Sequence, residues 1–296
     1  MTDPELAAIV VSWRAAADVA ELASAWPRDG RFELVVVDQT GDLGEIAGAR
    51  VLRPGENLGF AGGSNLGAKS TAAPILLFLN PDTRPEAGAL DAIARAFERW
   101  PQAAGVVPRL VGFDGAAQTT WQLRRLPSPA ALLAQAFFFT PGRFAGEPAE
   151  GSTIEQPAAA ALALRRELFE SVGGFDDRFF PAWFEDVDLA RRLADAGHRL
   201  FYLPRAVIQH RQGSSVASLG YGSFLQAYDR NLLRYLDKHH GHLWSVAFRW
   251  AAAVGAIVRL LALPLRRPAR AASRAEAAAA LLAVAFGAAT GWRQGS

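Results

Sequence analysis

The chain has 296 residues, of which 51% are hydrophobic. This excludes a disordered protein and allows one large α/β domain with an appendage, or two modest domains. The absence of cysteine excludes a disulfide framework, a thiolate metal site and a cysteine nucleophile, and it fits a reducing compartment. The first residues lack the pattern of a secretory signal, so we expect a cytoplasmic protein.

Charge is distributed unevenly along the chain. The net charge is +2, but the residues after Asp237 carry eight Lys/Arg and one acid, against 23 basic and 28 acidic residues before that point. A basic, apolar tail on a mildly acidic body indicates contact with a membrane surface. The body lacks the interleaved aromatic and basic residues of a nucleic-acid reader, so no nucleic-acid partner is expected.

The N-terminal elements predict a parallel sheet. Residues 7–12 and 33–38 are typical of buried strands, and residues 15–26 between them have helical spacing. Strand, helix and strand form a βαβ unit with a right-handed crossover. The second strand ends at Asp38, and the turn after it carries Asp42. Residues 50–52 allow a short third strand.

A glycine-rich stretch follows, from Pro54 to Gly67. Its spacing matches neither the dinucleotide fingerprint nor the P-loop. Glycines here let the backbone approach a ligand, or let a helix over residues 62–71 pack closely.

The apolar run at residues 75–79 predicts a strand buried on both faces. It ends at Asn80-Pro81-Asp82, because proline cannot donate to a sheet ladder. Asp82 is therefore expected at the carboxyl end of a buried strand, where open α/β sheets bind ligands. Taken alone, the three residues favour an ordinary strand-ending turn.

The middle of the chain alternates between ordered and irregular segments. Residues 86–99 predict an amphipathic helix and residues 104–107 a short strand. Periodicity then weakens, and residues 112–156, around an apolar segment at 130–139, are interpreted as a long insertion carrying a variable binding surface. An Ala/Leu run at 157–164 and a short helix at 166–172 follow.

A second chemically dense region ends in Glu185-Asp186, which open a predicted helix that stops at Gly197. Acids in the first turn are favoured by the helix dipole, so both residues could be plain capping residues. The surrounding apolar bulk favours a raised carboxylate pKa, which a general base needs; it comes from Phe179, Phe180, Trp183 and Phe184. Asp188 is placed to pair with Arg192.

His210 ends a late predicted strand, after strand segments at 199–203 and 206–210, and residues 221–238 predict an aromatic-rich helix. A Gly-x-Ser-x-Gly elbow is absent, and a zinc cage is disfavoured without cysteine. Carboxylates with an imidazole suit a hard or borderline divalent ion that takes phosphate oxygens from a ligand. Considered singly, His210 is explained by a structural role at least as well as by a role as a ligand. Asp38 is likewise explained as a residue that caps a turn. The polar loop 213–215 beside His210 favours a site.

Taken in order, several segments resemble the family 2 glycosyltransferases, in their rhamnosyltransferase-like branch with the GT-A fold. The matching segments lie between residues 7 and 240, and they are Val35–Asp38, Asn57–Gly67, Leu79–Thr83, Val172–Asp176, Phe184–Leu189 and His210–Ser214. The occurrence of these motifs in the right order makes the resemblance specific. It implies an α/β fold with a mostly parallel central sheet flanked by helices, followed by a C-terminal helical tail.

The resemblance also implies roles for single residues. Asp38, and less directly Asp42, would contact the pyrimidine base and ribose of a nucleotide-sugar donor. Asp82 would bind Mg²⁺ or Mn²⁺ bridging the donor diphosphate, with His210 as a further contact. Asp186 would deprotonate the acceptor hydroxyl, supported by Glu185. The remaining donor-binding positions would be Asn57, Gly59, Phe60, Gly63, Asn65 and Asn80.

The chain departs from the family pattern at three places. Trp13-Arg14 stands where relatives carry Tyr-Asn, and the segment from Asp38 to Asp42 is one residue shorter than in relatives. Ala159-Ala160 stands where relatives often carry Gly-Ala. These departures concern the base pocket and the acceptor side more than the reaction class.

We expect a glycosyltransferase domain at residues 1–240 and a tail at 241–296. Residues 243–265 are apolar but contain Arg249 and Arg259, which make a spanning helix expensive. Residues 277–290 are too short and alanine-rich to span. The arginines favour an interfacial segment on anionic lipid, and the alternative is a helical pair that packs on the domain or on a second subunit.

The expected function is inverting, metal-dependent transfer of a sugar, L-rhamnose from dTDP-rhamnose, to a cell-surface glycan or polyprenyl-linked acceptor at the inner face of the cell membrane. The alternatives are a UDP-sugar donor of glucose, galactose or N-acetylglucosamine, and a non-catalytic nucleotide-sugar-binding subunit.

Overall fold

A computed structural model describes residues 3–137, 146–211, 219–265, 268 and 270–292. The described residues divide into two compact units. The first comprises residues 3–126, 146–181 and 185–211. The second comprises residues 127–137 and 182–184, with the described residues from 219 onward. Residues 213–215, and part of the segment 130–139, lie outside the described residues.

The first unit is a mixed α/β structure, and the strands of the chain are β1 Leu6–Ser12, β2 Phe32–Asp38, β3 Ala49–Leu52, β4 Ile75–Leu79, β5 Thr83–Pro85, β6 Ala103–Val111, β7 Leu123–Arg124, β8 Thr153–Ile154, β9 Gln156–Pro157, β10 Ala161–Arg165 and β11 Arg199–His210. The helices described in the two units are α1 Ala16–Ser24, α2 Gly59–Lys69, α3 Ala89–Arg99, α4 Thr119–Gln122, α5 Pro129–Gln135, α6 Arg166–Ser171, α7 Glu185–Asp195, α8 Tyr221–His240, α9 His242–Leu261 and α10 Arg274–Thr290.

The main sheet has the order β3-β2-β1-β4-β10-β6-β11-β5, with β8 paired to β11. Strands β10, β5 and β8 run antiparallel to their neighbours, and the other described strands of this sheet share one direction. The sheet is therefore mostly parallel, as the resemblance implies. Strands β7 and β9 form a separate antiparallel ribbon.

Helices cover both faces of the sheet, which explains why its inner strands are continuous apolar runs. Strands β1 and β4 are buried along their whole length. One core packs α1 and α3 against the sheet through Leu22, Ile93 and Phe97. The other packs α2, α6 and α7 through residues such as Phe169 and Leu189.

Most predicted elements form close to their expected bounds, and the strand at residues 75–79 is confirmed. The interpretation of residues 112–156 as an insertion is too coarse, because this segment supplies α4, β7, α5 and β8. Its start is tied to β6 by Gln122, whose Oε1 accepts from Leu110 N at 3.0 Å while its Nε2 donates to Pro108 O. The two strand segments predicted before His210 form one strand, irregular between Leu203 and Val207 around Pro204.

In the second unit, helices α8, α9 and α10 each have one buried face, which includes Tyr235 in α8, Phe248 in α9 and Val284 in α10. By its contacts, α8 belongs to the same unit as the C-terminal helices. The predicted domain boundary at residue 240 stays a prediction. Among the described residues, α9 has the length and hydropathy of a membrane-crossing helix, and 28% of its most apolar 18-residue window is buried. Buried helices of soluble proteins can have the same length and hydropathy.

Candidate active site

Asp82 and His210 are brought together by strand pairing. Strand β5 runs antiparallel to the end of β11, with Thr83 opposite His210, and Arg211 N donates to Asp82 O at 3.1 Å. The Asp82 Oδ1 atom lies 3.5 Å from His210 Nε2, and both side chains are at most 3% exposed. The structure therefore joins two predicted site residues that are far apart in the chain.

Gln118 determines which nitrogen of His210 carries the proton. Its Nε2 donates to His210 O at 2.8 Å, so its Oε1, which is 2.8 Å from His210 Nδ1, accepts a proton from that nitrogen. The ring of Trp121 stacks on the imidazole at 5.2 Å. Burial lowers the pKa of His210, with Asp82 opposing the shift, so the imidazole is neutral at pH 7.

The lone pair of His210 Nε2 therefore faces Asp82. The amide of Asn80 lies on the same side, with Nδ2 3.4 Å from Nε2. This places Asn80 beside the histidine. Its predicted contact with the donor stays a prediction.

The Asp82–His210 pair has donor atoms that suit Mg²⁺ or Mn²⁺. Within the described ranges, no three His, Cys, Asp or Glu side chains gather closely enough to hold a metal ion. One carboxylate and one imidazole fit an ion that takes its other ligands from water and a diphosphate. The pair could therefore hold a metal that a phosphate-bearing ligand completes.

Asp186 lies near the start of α7, and its side chain is 13% exposed. Its Oδ1 accepts from Val187 N at 2.8 Å, and Ala159 N–H also donates to the carboxylate. The Oδ2 atom lies 3.4 Å from Gln156 Nε2 and 3.7 Å from Arg124 Nη2. Asp186 is thus a largely buried carboxylate supplied with several donors.

Glu185, its neighbour, has a different environment. It is buried, and its Oε2 has no hydrogen-bond partner among the described residues. Burial and the charge of Asp186 raise the pKa of Glu185 well above its usual value. Burial also raises the pKa of Asp186, but Arg124 and the peptide N–H groups oppose that shift. Of the two, Glu185 has the more strongly raised pKa, so it binds a proton more readily than Asp186 does.

Residues 159–160 link these two parts of the site. Asn80 N donates to Ala160 O at 3.0 Å, and Ala159 N–H donates to Asp186. The Ala-Ala pair that departs from the family pattern therefore lies between the Asp82 and Asp186 sites. Asp188, nearby on α7, pairs with Arg192 at 2.7 Å as predicted.

Asp38 organises the loop after β2. Its Oδ1 accepts from Thr40 N and Gly41 N, and its Oδ2 accepts from Leu43 N at 3.1 Å. Asp42 is exposed and accepts from Thr40 Oγ1 at 2.6 Å. Contact of Asp38 and Asp42 with a nucleotide base stays a prediction, and the structure shows that Asp38 also shapes the loop.

The start of the glycine-rich helix α2 is joined to the loop after β2 and to residue 181. Gln39 Oε1 accepts from Leu58 N at 2.6 Å, and Asn57 Oδ1 accepts from Gly59 N at 2.9 Å. Gly59 has φ +70°, and a Cβ there would lie 2.7 Å from Pro181 O. Phe60 N donates to the same carbonyl at 2.8 Å. Glycine at 59 is therefore required by conformation and by space.

Two further predicted donor residues have packing roles. Asn65 donates to Phe175 O at 2.8 Å and accepts from Phe175 N at 3.0 Å, which secures the Gly-Gly-Phe motif. A Cβ on Gly63 would lie 2.9 Å from Val11, so this glycine lets α2 approach β1. The predicted contacts of Asn57, Gly59, Phe60, Gly63 and Asn65 with a donor stay predictions.

Trp183 and Phe184 belong to the second unit. Both have left-handed backbone, with φ +76° and +72°, which costs free energy for bulky residues. Helix α8 holds them, because Asn231 Nδ2 donates to Ala182 O and Trp183 O, and Phe184 contacts the ring of Tyr235.

Sequence reasoning missed several polar and aromatic residues of the site, namely Gln39, Gln118, Trp121, Arg124 and Gln156. Gln118, Trp121 and Arg124 lie in a segment without periodicity, and Gln156 lies in a two-residue strand. No spacing pattern marks them, because their partners are distant in sequence.

No protein-family model matches the chain. It is 30% identical over 221 residues to the N-acetylglucosaminyl-diphospho-decaprenol L-rhamnosyltransferase of Mycobacterium tuberculosis, covering 68% of this chain and 71% of the relative. It is 29% identical over 168 residues to the pre-mycofactocin glycosyltransferase of the same species, covering 57% and 33% of the two chains.

Among solved structures, a mannosyltransferase from Pyrobaculum calidifontis in complex with GDP-Man and Mn²⁺ aligns with a TM-score of 0.53. The alignment covers 97% of this chain and 88% of that one at 17% identity, so it shows a shared GT-A fold. The chain belongs to the rhamnosyltransferase-like glycosyltransferases. The family resemblance read from the sequence motifs is confirmed.

Proposed function

We propose that this glycosyltransferase is a family 2 enzyme that transfers L-rhamnose from dTDP-rhamnose, with inversion, to a polyprenyl-linked or cell-surface glycan acceptor. The observation that carries the proposal is the 30% identity to a decaprenol-linked rhamnosyltransferase over about two thirds of both chains. The contact between Asp82 and His210 supports a metal-assisted reaction.

Asp82 and His210 would hold Mg²⁺ or Mn²⁺. When bound, such an ion neutralises the charge that develops on the donor's diphosphate as it leaves. Gln118 keeps the His210 Nε2 lone pair available to the ion. The loops after β2 and before α2 would receive the base and ribose of the donor, through Asp38, Asp42 and Asn57.

Asp186 acts on the acceptor side. Its carboxylate takes the proton of the acceptor hydroxyl, and the acceptor oxygen forms a bond to the anomeric carbon. The bond from that carbon to the diphosphate oxygen breaks, and its electron pair leaves with the nucleoside diphosphate. A single displacement of this kind inverts the anomeric configuration. The raised pKa of buried Glu185 favours its protonated form, which adds no second negative charge beside the base.

The C-terminal helices supply peripheral membrane contact at the inner face of the cell membrane. Of the twelve large apolar side chains most exposed among the described residues, ten lie in the second unit. On α9 they follow helical spacing on one face, at Leu243, Trp250, Val254, Ile257 and Leu261. The excess of arginine in the tail sequence favours anionic lipid.

A donor panel tests the proposed reaction. The full chain is assayed with dTDP-rhamnose, UDP-glucose, UDP-galactose and UDP-N-acetylglucosamine, with and without Mn²⁺, on an N-acetylglucosaminyl-diphospho-polyprenol acceptor. We expect turnover with dTDP-rhamnose that requires the ion and yields the inverted linkage. Turnover restricted to a UDP-sugar would correct the donor, and binding of nucleotide sugar without turnover would favour the non-catalytic alternative.

Flotation tests the membrane contact. The wild-type chain is expected to float with vesicles that contain anionic lipid, and a triple variant Trp250→Ser, Leu261→Ser, Phe286→Ser is expected to remain in solution. Equal flotation of both proteins would contradict the proposed contact.

A further inference from the structure

The β7–β9 ribbon places two side chains against one oxygen of Asp186. In its antiparallel register Arg124 pairs with Gln156. Both side chains reach Asp186 Oδ2, with Gln156 Nε2 at 3.4 Å and Arg124 Nη2 at 3.7 Å. Because the two residues are neighbours across the ribbon, they approach the carboxylate together.

The two ribbon side chains are built into the structure. Gln156 is 2% exposed, and its Nε2 also donates to Pro157 O at 3.0 Å. Arg124 is 34% exposed at its side chain, yet its Nε is buried and has no hydrogen-bond partner in the described parts of the chain. A buried guanidinium nitrogen without a partner is costly, so the position of Arg124 is not explained by its own hydrogen bonds.

Among the described residues, few other charged groups act on Glu185 and Asp186. On α7 there is Asp188, which is already paired with Arg192. From the ribbon comes Arg124, the cation that acts on both Glu185 and Asp186. Burial favours the protonated form of each acid, and Arg124 opposes burial.

We propose that Arg124 and Gln156 are positioning residues, which hold the Asp186 carboxylate ionised and oriented toward the acceptor hydroxyl. This inference rests on the proposed function of Asp186 as the base. Arg124 supplies the charge, and Gln156 fixes the orientation of Oδ2. The ribbon thereby sets the lower pH limit of the reaction.

The test is the pH dependence of kcat/KM for Arg124→Met, Arg124→Gln and Arg124→Lys in the full chain. Loss of the positive charge in Arg124→Met and Arg124→Gln is expected to shift the acid side of the kcat/KM profile to higher pH by about one unit. On that side kcat/KM falls about tenfold, and on the alkaline plateau it changes little. Arg124→Lys keeps the charge and is expected to have a profile close to that of the wild type. Gln156→Met is expected to lower kcat with little change in KM, since it removes the N–H group that orients Asp186 Oδ2.

Arg95→Met, an exposed arginine of α3, is the charge-matched control and should leave the profile unmoved. Thermal unfolding identifies any variant that fails to fold. If Arg124→Met and Arg124→Gln lower kcat/KM equally at every pH, Arg124 is a structural or substrate contact, and the inference is overturned.

Asp186→Asn, measured alongside, separates the two proposals. If that variant keeps wild-type turnover, the assignment of Asp186 as base fails, and this inference fails with it. If it abolishes turnover while the profiles of both uncharged Arg124 variants superimpose on the wild type, the base assignment stands and only the role of Arg124 is wrong.

Discussion

Asp82 is a buried carboxylate of the first unit and Asp186 is a largely buried one, but their partners differ in charge. Asp82 faces His210, which burial keeps neutral. Asp186 faces Arg124 and accepts from two peptide N–H groups. One carboxylate has a partner that supplies a lone pair, and the other has a partner that supplies a positive charge.

This difference supports the different roles that we propose for the two acids. A carboxylate beside a neutral imidazole presents two donor atoms to a cation. A carboxylate beside a guanidinium stays ionised without a metal and can still accept a proton. In the proposed mechanism, the neighbouring group therefore favours a cation at Asp82 and a proton at Asp186.

The strongest test of this contrast is Asp186→Asn. The amide cannot accept the acceptor proton, so we expect kcat to fall about 10³-fold with little change in donor affinity. Transfer kinetics and donor titration measure both quantities. Asp177→Asn, an exposed acid shortly before α7, should keep wild-type rates. Intact turnover in Asp186→Asn would show that the base is another group.

Asp82→Ala should have the next largest effect. Loss of one of the two proposed protein ligands is expected to lower turnover about 100-fold and to weaken the response to Mn²⁺, since the ion would depend on His210 and the donor alone. Activity measured across a Mn²⁺ titration shows both changes. Unchanged turnover and unchanged metal dependence would refute the metal assignment.

Gln118→Leu tests the orientation of His210. Without the acceptor for Nδ1–H, the imidazole can adopt the other tautomer, and we expect Mn²⁺ affinity to fall about tenfold or more. Saturating Mn²⁺ should restore most of kcat in Gln118→Leu. It should not do so in Asp82→Ala. Gln102→Leu, at an exposed position, is the matched control. Equal Mn²⁺ affinity in the Gln118 variant and the wild type would show that the tautomer is held by other contacts.

The smallest effect on activity is expected at another buried carboxylate, Asp229 in α8. Burial raises its pKa to about 7, opposed by the charge of Arg259, and its Oδ2 has no partner among the described residues. Because the folded-state pKa lies above the unfolded value of about 3.9, stability falls by up to about 4 kcal/mol as the pH rises from about 4 through about 7.

Asp229→Asn removes this titration. We therefore expect the decrease in Tm between pH 5 and pH 8 to be smaller in the variant than in the wild type, as measured by thermal unfolding. Asp237→Asn, an exposed acid on the same helix, should follow the wild type. Parallel pH profiles for wild type and Asp229→Asn would mean that Asp229 titrates near its usual pKa.

Much of the first unit could be predicted from the sequence. The apolar runs at residues 75–79 and 33–38 are strands because only a sheet covered on both faces buries every side chain of such a run. Asp82, Asp186 and His210 could be singled out as well, by their places after a strand, at a helix start and at a strand end. Arg124 and Gln156 could not, since strands of two residues leave no periodic signal.

Local apolar patterns in the sequence are enough to show which segments are buried and which reactive side chains stand at their ends. The partners of those side chains depend on the tertiary structure. Asn80-Pro81-Asp82 ends a strand by its own chemistry, but only the antiparallel pairing of β5 with β11 puts His210 beside it. Only the β7–β9 ribbon puts an arginine beside Asp186. Register between distant strands depends on the packing of the whole sheet, so no local pattern encodes it.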